Sequence, residues 1–262
     1  MKLAIVDGVV MDAAQAQIPV TDDGLLRGDG VFEVVRLYDG RPFALDEHLE
    51  RMARSAEALR LPLDVDAVRA DVGAILAEAE PSDGGALRVL ATRGGRRIAL
   101  VEELPALPDT IALATITYSP TRVLDGVKSL SYAANMLASR LAREAGAAEA
   151  LLATPHGRVL EAPTASFFYV LGGRLFTPPL SDRILDSITR RLLLAVTDAE
   201  ERVTTLDDLR TLDEAFLASS AREVHPVHAI DSRPIDGTPG PVTADAAARV
   251  REGIAAELAR RA

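Results

Sequence analysis

The sequence predicts an α+β protein in two parts: a smaller N-terminal α+β domain over residues 1–117 and a larger, strand-rich domain over residues 127–262. Three observations predict it. Apolar runs in the first part alternate about Asp-Gly and Gly-Gly pairs, with two helical patterns between them. The stretch YSPTRVLDG, 118–126, has turn residues and little periodicity, so it reads as the loop between the parts. Beyond it, strand and helix patterns alternate.

Residues 3–6 and 9–10 flank Asp7-Gly8, and VFEVVRLYDGRPFAL places a turn at Asp39-Gly40 between two apolar runs. DEHLERMARSAEALR, 46–60, opens on Asp46 as N-cap and carries Leu49, Met52, Ala53, Ala56 and Leu59 on one face. A second helix follows Asp64, runs to about Glu80 and stops at Pro81. ALRVLATRGGRRIALVEEL is a hairpin about Gly94-Gly95, and IALATITY a further strand. In the second part NMLASRLAREAG is a helix closed by Gly146. EALLAT, RVLEAP and SFFYVLGGRLFTP read as strands, turning at His156-Gly157 and Gly172-Gly173. ILDSITRRLLLAV is helical, DEAFLASS a strand, and residues 242–261 a closing amphipathic helix.

Composition narrows the function. Hydrophobic residues make up 48% and charged residues 26%, an ordinary globular balance, and the formal net charge is -10. An acidic chain lacks the basic face that phosphate backbones need, so no nucleic-acid partner is expected. The absence of cysteine removes disulfides, thiolate metal sites and a thiol nucleophile. MKLAIVDGVVMDAAQ lacks the apolar stretch of a signal peptide, and no run approaches membrane-spanning length, so a cytoplasmic protein without a membrane partner is expected.

Lysine occurs only at positions 2 and 128, every other basic residue being arginine. Arginine cannot form an imine and a lysine amine can, so Lys128 is the first position to weigh. Glu161 lies in an apolar run just before Pro163, where a carboxylate needs a partner. A lysine for an aldehyde cofactor, with a carboxylate for its ring nitrogen, is one reading of the pair. On spacing alone the plainer reading, a surface lysine and a strand-end glutamate, is preferred. Asp186-Ser187-Ile188-Thr189 opens a helix and Ser219-Ser220-Ala221 ends a strand; both offer amides to a phosphate, and Arg51 adds a bidentate fork. Each alone reads as an ordinary cap or a solvated arginine. His225, His228 and Glu223 invite a metal reading, but Pro226 forbids a regular helix face, and no metal is assigned. RGDG at 27–30 lacks the spacing of a nucleotide-binding loop.

The ordered series RGDGVFEVVRLYDG, LDEHLERM, VKSLSYAANMLASRLA, EALLATPHGRVLEAPTASFF, ILDSITR and SSAREVHPV resembles the class IV aminotransferases, fold-type IV pyridoxal-phosphate enzymes. That group includes D-amino-acid transaminases, branched-chain transaminases and aminodeoxychorismate lyases. The resemblance implies a small α+β domain, a larger pseudo-barrel α/β domain, and a homodimer whose neighbouring subunit completes the substrate pocket. It implies Lys128 as the covalent cofactor lysine and proton shuttle, and Glu161 at the pyridine nitrogen. Arg51, Ile188, Thr189 and Ser220 would hold the phosphate, Leu185 would pack on the ring, and Thr164 would lie close to the cofactor. Substrate would meet Arg27, Phe32, Arg88, Arg96 and Ala221. Two departures stand out: EAPTAS puts Ser166 where D-amino-acid transaminases commonly carry asparagine, and Phe32 lacks the hydroxyl that some relatives use for a carboxylate.

Arg88 in ALRVLAT needs an anion, either a substrate carboxylate or an internal partner such as Glu33 or Asp29. Arg27, where many relatives have an aromatic, and Arg88 incline the reading to a transaminase of D-amino acids and 2-oxo acids. The alternatives are a branched-chain L-amino-acid transaminase, a pyruvate-releasing aminodeoxychorismate lyase, and a cofactor-free relative.

Overall fold

The computed structural model describes residues 2–79 and 85–260. Its contacts divide the chain into two units, Met1–Pro105 with Val127–Tyr132, and Ala106–Gly126 with Ala133–Ala262.

The first unit holds a six-stranded sheet of order β2-β1-β6-β5-β3-β4, built from β1 (Leu3–Val6), β2 (Val9–Asp12), β3 (Gly30–Tyr38), β4 (Arg41–Pro42), β5 (Gly85–Thr92) and β6 (Arg97–Glu103). Its strands are antiparallel, and the hairpin about Gly94-Gly95 sets Arg88 opposite Leu100. Side chains alternate across a strand, so one face carries Ile5, Val31, Val35, Leu87, Val89 and Ala99. That face packs on Leu49, Met52 and Ala56 of helix α2 (Leu45–Ala58) and on Val68, Val72 and Ile75 of α3 (Val65–Glu78). A helix precedes these two, α1 (Asp23–Arg27), which sequence periodicity did not reveal because it spans little more than a turn. Asp22 caps it by accepting from the Gly24 amide at 2.7 Å. Gly28, with φ +68°, closes it in the left-handed conformation. RGDG is thus a helix end, and its last glycine matters for another reason. A Cβ on Gly30 would lie 2.5 Å from the Ala91 carbonyl oxygen and 2.6 Å from Leu130 Cδ1.

One helix start needs correction. α2 starts one residue before Asp46, after Ala44 in a left-handed conformation with φ +52°. Asp46 lies inside the first turn, where it suits the helix dipole, and pairs with Arg69 at 2.7 Å. Asp64 does cap α3, accepting from Ala67 N at 2.9 Å. The stop expected at Pro81 lies outside the described residues.

The loop expected at 118–126 belongs to the second unit and leads at Val127 into the first, whose main stretch ends earlier, at Pro105. IALATITY is a strand, β7 (Ile111–Thr117), but its parallel partners lie in the second unit's sheet. Val127–Tyr132 returns to the first unit because it runs antiparallel beside β3: Phe32 N donates to Lys128 O at 3.1 Å and Leu130 N to Gly30 O at 2.8 Å.

The second unit follows β7 with α4 (Ala133–Glu144), β8 (Glu149–Ala153), β9 (Ser166–Leu171), β10 (Arg174–Thr177), α5 (Ile188–Val196), β11 (Glu200–Glu201), β12 (Glu214–Ser219), β13 (Glu223–Ile230), β14 (Arg233–Pro234) and α6 (Pro241–Arg260). The mixed sheet has the order β11-β10-β9-β12-β13-β7-β8, with β14 on β13. Phe167, Tyr169, Leu217 and Val227 fill one apolar cluster, and Phe168 stacks on Phe216 at 5.1 Å. Pro226 is tolerated in β13 because the strand changes partner there, from β12 up to Pro226 to β7 from Val227. RVLEAP is not a strand. Val159 N bonds Thr204 O while Leu160 N bonds Leu152 O, so successive residues face different partners and only isolated bridges form. No helix among the described residues is long and apolar enough to cross a membrane.

Candidate active site

In the first unit the segment beside β3 presents Lys128. Its amide donates to Ser55 Oγ at 3.2 Å and its carbonyl is held by Phe32, so the backbone is fixed on both sides. The amine lies 4.2 Å from the centroid of the Phe32 ring and 5.7 Å from that of Tyr132. These two rings meet edge to face at 5.2 Å. An aromatic corner of this kind confines a four-carbon side chain.

Helix α2 brings a polar stripe to the same unit. His48, Arg51 and Ser55, spaced at one helical face, are all buried, and so is Glu33 between Val31 and Val35 on the core side of β3. Arg51 donates to Glu33 through Nε at 2.8 Å and Nη2 at 2.6 Å, and His48 Nδ1 donates to the second carboxylate oxygen at 2.7 Å. Burial would raise the Glu33 carboxyl, but the Arg51 charge and the bonds from Arg51 and His48 outweigh it and hold it at about 2. Burial pushes His48 below the ordinary imidazole value despite Glu33. The ring is therefore neutral, with its proton on Nδ1.

In the second unit Glu161 Oε1 accepts from the Leu185 amide at 2.8 Å. The nearby Tyr118 phenol is pushed above its usual range, first by burial and then by the Glu161 charge. Tyr118 OH reaches Asn135, whose amide donates to Pro163 O at 3.1 Å, so the turn after Glu161 is tied to α4. Ser187 caps α5, and Ile188 and Thr189, both buried, begin the helix, where amides have no intrahelical acceptor. Ser220 and Ala221 occupy the tight turn between β12 and β13. In that turn Arg222 pairs with buried Glu149 at 2.8 Å and reaches the Thr164 hydroxyl at 3.5 Å. His225 Nε2 meets Pro108 O at 2.8 Å and His228 Nδ1 the Thr110 hydroxyl at 2.9 Å.

The arginines expected to meet substrate have protein partners. Arg88 pairs through Nε with Glu102 at 2.9 Å, not with Glu33 or Asp29. Those carboxylates are taken by Arg51 and by Arg93, the latter at 2.8 Å. Glu102 lies on the neighbouring strand of Arg88's own hairpin. Arg96 pairs with Asp7 at 2.5 Å, and Arg27, its side chain 74% exposed, with Asp23 at 3.1 Å. Phe32 stands beside Lys128. Sequence reading passed over His48 and Tyr132 and met Glu33 only as a partner for Arg88. The signal for the first was a polar stripe at helical spacing, and for Glu33 a carboxylate at an inward strand position.

The first unit holds a lysine amine and a buried guanidinium, and the second a carboxylate held by a backbone amide and a helix start. Each is a group of the kind that an aldehyde cofactor with a phosphate would need. A family model described as Amino-transferase class IV matches residues 30–230. A Methanocaldococcus jannaschii protein provisionally named a branched-chain-amino-acid aminotransferase is 34% identical, with 88% of this chain and 88% of that protein covered. A D-alanine aminotransferase of Bacillus licheniformis is 30% identical over 97% of this chain and 98% of its own length. Among solved structures, a hypothetical aminotransferase from Mycobacterium tuberculosis in its PLP-bound form matches with a TM-score of 0.88 at 26% identity, covering 98% of this chain and 99% of that one. The chain belongs to the class IV aminotransferases, fold-type IV enzymes that work with pyridoxal 5'-phosphate.

Proposed function

We propose that the enzyme moves an amino group between a D-amino acid and a 2-oxo acid, acting in the cytoplasm as a homodimer whose neighbouring subunit completes the substrate pocket. The observation that carries the chemistry is the amine of the chain's one interior lysine, held 4.2 Å from the Phe32 ring on a backbone fixed at both its amide and its carbonyl. When bound, the cofactor supplies an electron sink conjugated to the substrate Cα. Lys128 takes the Cα proton and returns it on the other side of the exchange. Glu161, oriented by the Leu185 amide, keeps a proton on the cofactor's ring nitrogen. Arg51, the amides of Ile188 and Thr189, and Ser220 hold the phosphate, with Leu185 and Thr164 along the ring. Phe32 and the Ala221 amide border the substrate, and Arg27, Arg88 and Arg96 serve its carboxylates only where they leave their present partners.

The arginines therefore no longer carry the choice of a D-substrate. What supports it is likeness to D-alanine aminotransferases along nearly the whole chain. A branched-chain L-transaminase is the second reading, favoured by the Methanocaldococcus relative and by an apolar Phe32 where a phenol would bind a carboxylate. A half-reaction panel decides between them: D-alanine bleaches the bound-cofactor absorption fastest under the first reading, L-leucine under the second. Release of pyruvate from aminodeoxychorismate without an amino acceptor would overturn both.

A further inference from the structure

We propose that Glu33 and His48 are positioning residues for anion binding: they lock the Arg51 guanidinium in the orientation from which it holds the cofactor phosphate. The inference rests on the assignment of Arg51 to that phosphate. Glu33 and His48 are both fully buried and Arg51 nearly so. A carboxylate taken from water is costly, and a buried ionic cluster can often be exchanged for apolar side chains of like volume with no loss of stability. Stability alone therefore does not account for the triad, whereas geometry does. The two bonds from Nε and Nη2 run to different oxygens of Glu33, at 2.8 and 2.6 Å. Such a side-on fork fixes both the plane of the guanidinium and the direction of its Nη1 edge. His48 Nδ1 then grips the oxygen that Nη2 uses, at 2.7 Å, so the carboxylate cannot rotate away. His48 Nε2 is buried without a hydrogen-bond partner among the described residues, so nothing competes for the ring's orientation toward Glu33.

The triad also makes a prediction whose sign is diagnostic. Glu33 neutralises Arg51, so removing its charge leaves the site more positive. If net charge governed phosphate binding, Glu33→Gln would tighten it; if orientation governs, Glu33→Gln weakens it. Equilibrium dialysis of the apoenzyme against pyridoxal 5'-phosphate reads this directly, with 31P resonance of the bound phosphate as a second signature. We expect Glu33→Gln to weaken binding about tenfold or more and to broaden or shift that resonance, with Glu33→Asp recovering part of the loss. The Glu33→Gln/Arg51→Met pair should bind no more weakly than Arg51→Met alone, because Glu33 acts only through Arg51. Should Glu33→Gln fail to fold, His48→Asn, which keeps a donor near Nδ1, carries the same test with a several-fold loss and the same lack of additivity. Unchanged or tighter binding in the folded variants, or additive losses, overturns the inference. Unweakened binding by Arg51→Met instead removes the phosphate assignment beneath it, a separate and recognisable failure.

Discussion

Under the proposed function the two units would serve a charged cofactor in opposite ways. The first does it with side chains: Lys128, Arg51, Glu33 and His48 are gathered by one strand, one helix and the segment beside them. The second does it mainly with backbone, offering the amide that holds Glu161, the start of α5 and the tight turn at Ser220. The difference teaches where substitution is felt. In the first unit a single exchange alters charge and orientation together, whereas in the second most exchanges leave the backbone donors in place, Glu161 being the exception.

The largest effect belongs to Lys128→Ala. Without the amine neither the covalent link nor the proton transfer has a carrier, and turnover in a D-alanine half-reaction should fall by about four orders of magnitude or more. Cofactor should remain bound through its phosphate. A variant that keeps even a tenth of the activity would break the comparison by moving the chemistry elsewhere. Glu161→Gln comes next: affinity should stay within a few fold while the half-reaction slows by roughly 10²–10³-fold, as expected when one charge interaction at the reacting group is lost. Loss of affinity with an unchanged rate would make Glu161 a structural residue.

Acid stability sharpens the contrast within the first unit. Glu33 titrates at about 2 in the folded protein against 4.5 otherwise, so its contribution is complete above pH 4.5 and lost as pH falls from there toward 2. The loss is on the order of 3 kcal/mol. His48 and His225, both lowered from 6.5 by burial, add an earlier loss as pH drops below that value. Urea midpoints measured from pH 8 to 3 should show both limbs, and Glu33→Gln should flatten the lower one. The same slope in both proteins would rule Glu33 out as its source. The smallest effect is Arg88→Ala. Its pair with Glu102 leaves both side chains about a third exposed, and such pairs contribute ~0–1 kcal/mol. A several-fold rise in KM for amino-acid substrates, without a matching rise for (R)-phenylethylamine, would return Arg88 to the substrate.

Lys128 stands out in the sequence because the chain writes nearly all its positive charge as arginine, and Glu161 because an apolar run makes a carboxylate conspicuous. Spacing alone, however, favours a surface lysine and a strand-end glutamate, so the roles proposed for them rest on the resemblance. Partners were less legible than elements. IALATITY reads as a strand from its own residues, but nothing local says that its neighbours lie in the second sheet. Arg88 reads as a charge in need of an anion, yet Glu102 becomes its partner only once the hairpin register is set by the turn at Gly94-Gly95. Glu33 illustrates the converse. Alternation from Val31 to Val35 puts it on the helix-facing side of β3, so the buried stripe His48, Arg51 and Ser55 on α2 was its natural complement. Asp46 failed as a cap because Ala44 takes a left-handed conformation and the helix begins a residue early, a backbone choice that side-chain pattern does not encode.

Borohydride reduction of the cofactor-loaded enzyme, followed by digestion and mass spectrometry, tests the central claim most directly. A phosphopyridoxyl group on Lys128 is the expected product. Its appearance on Lys2 or the N-terminus, or no adduct in a protein that still transaminates, would contradict the account.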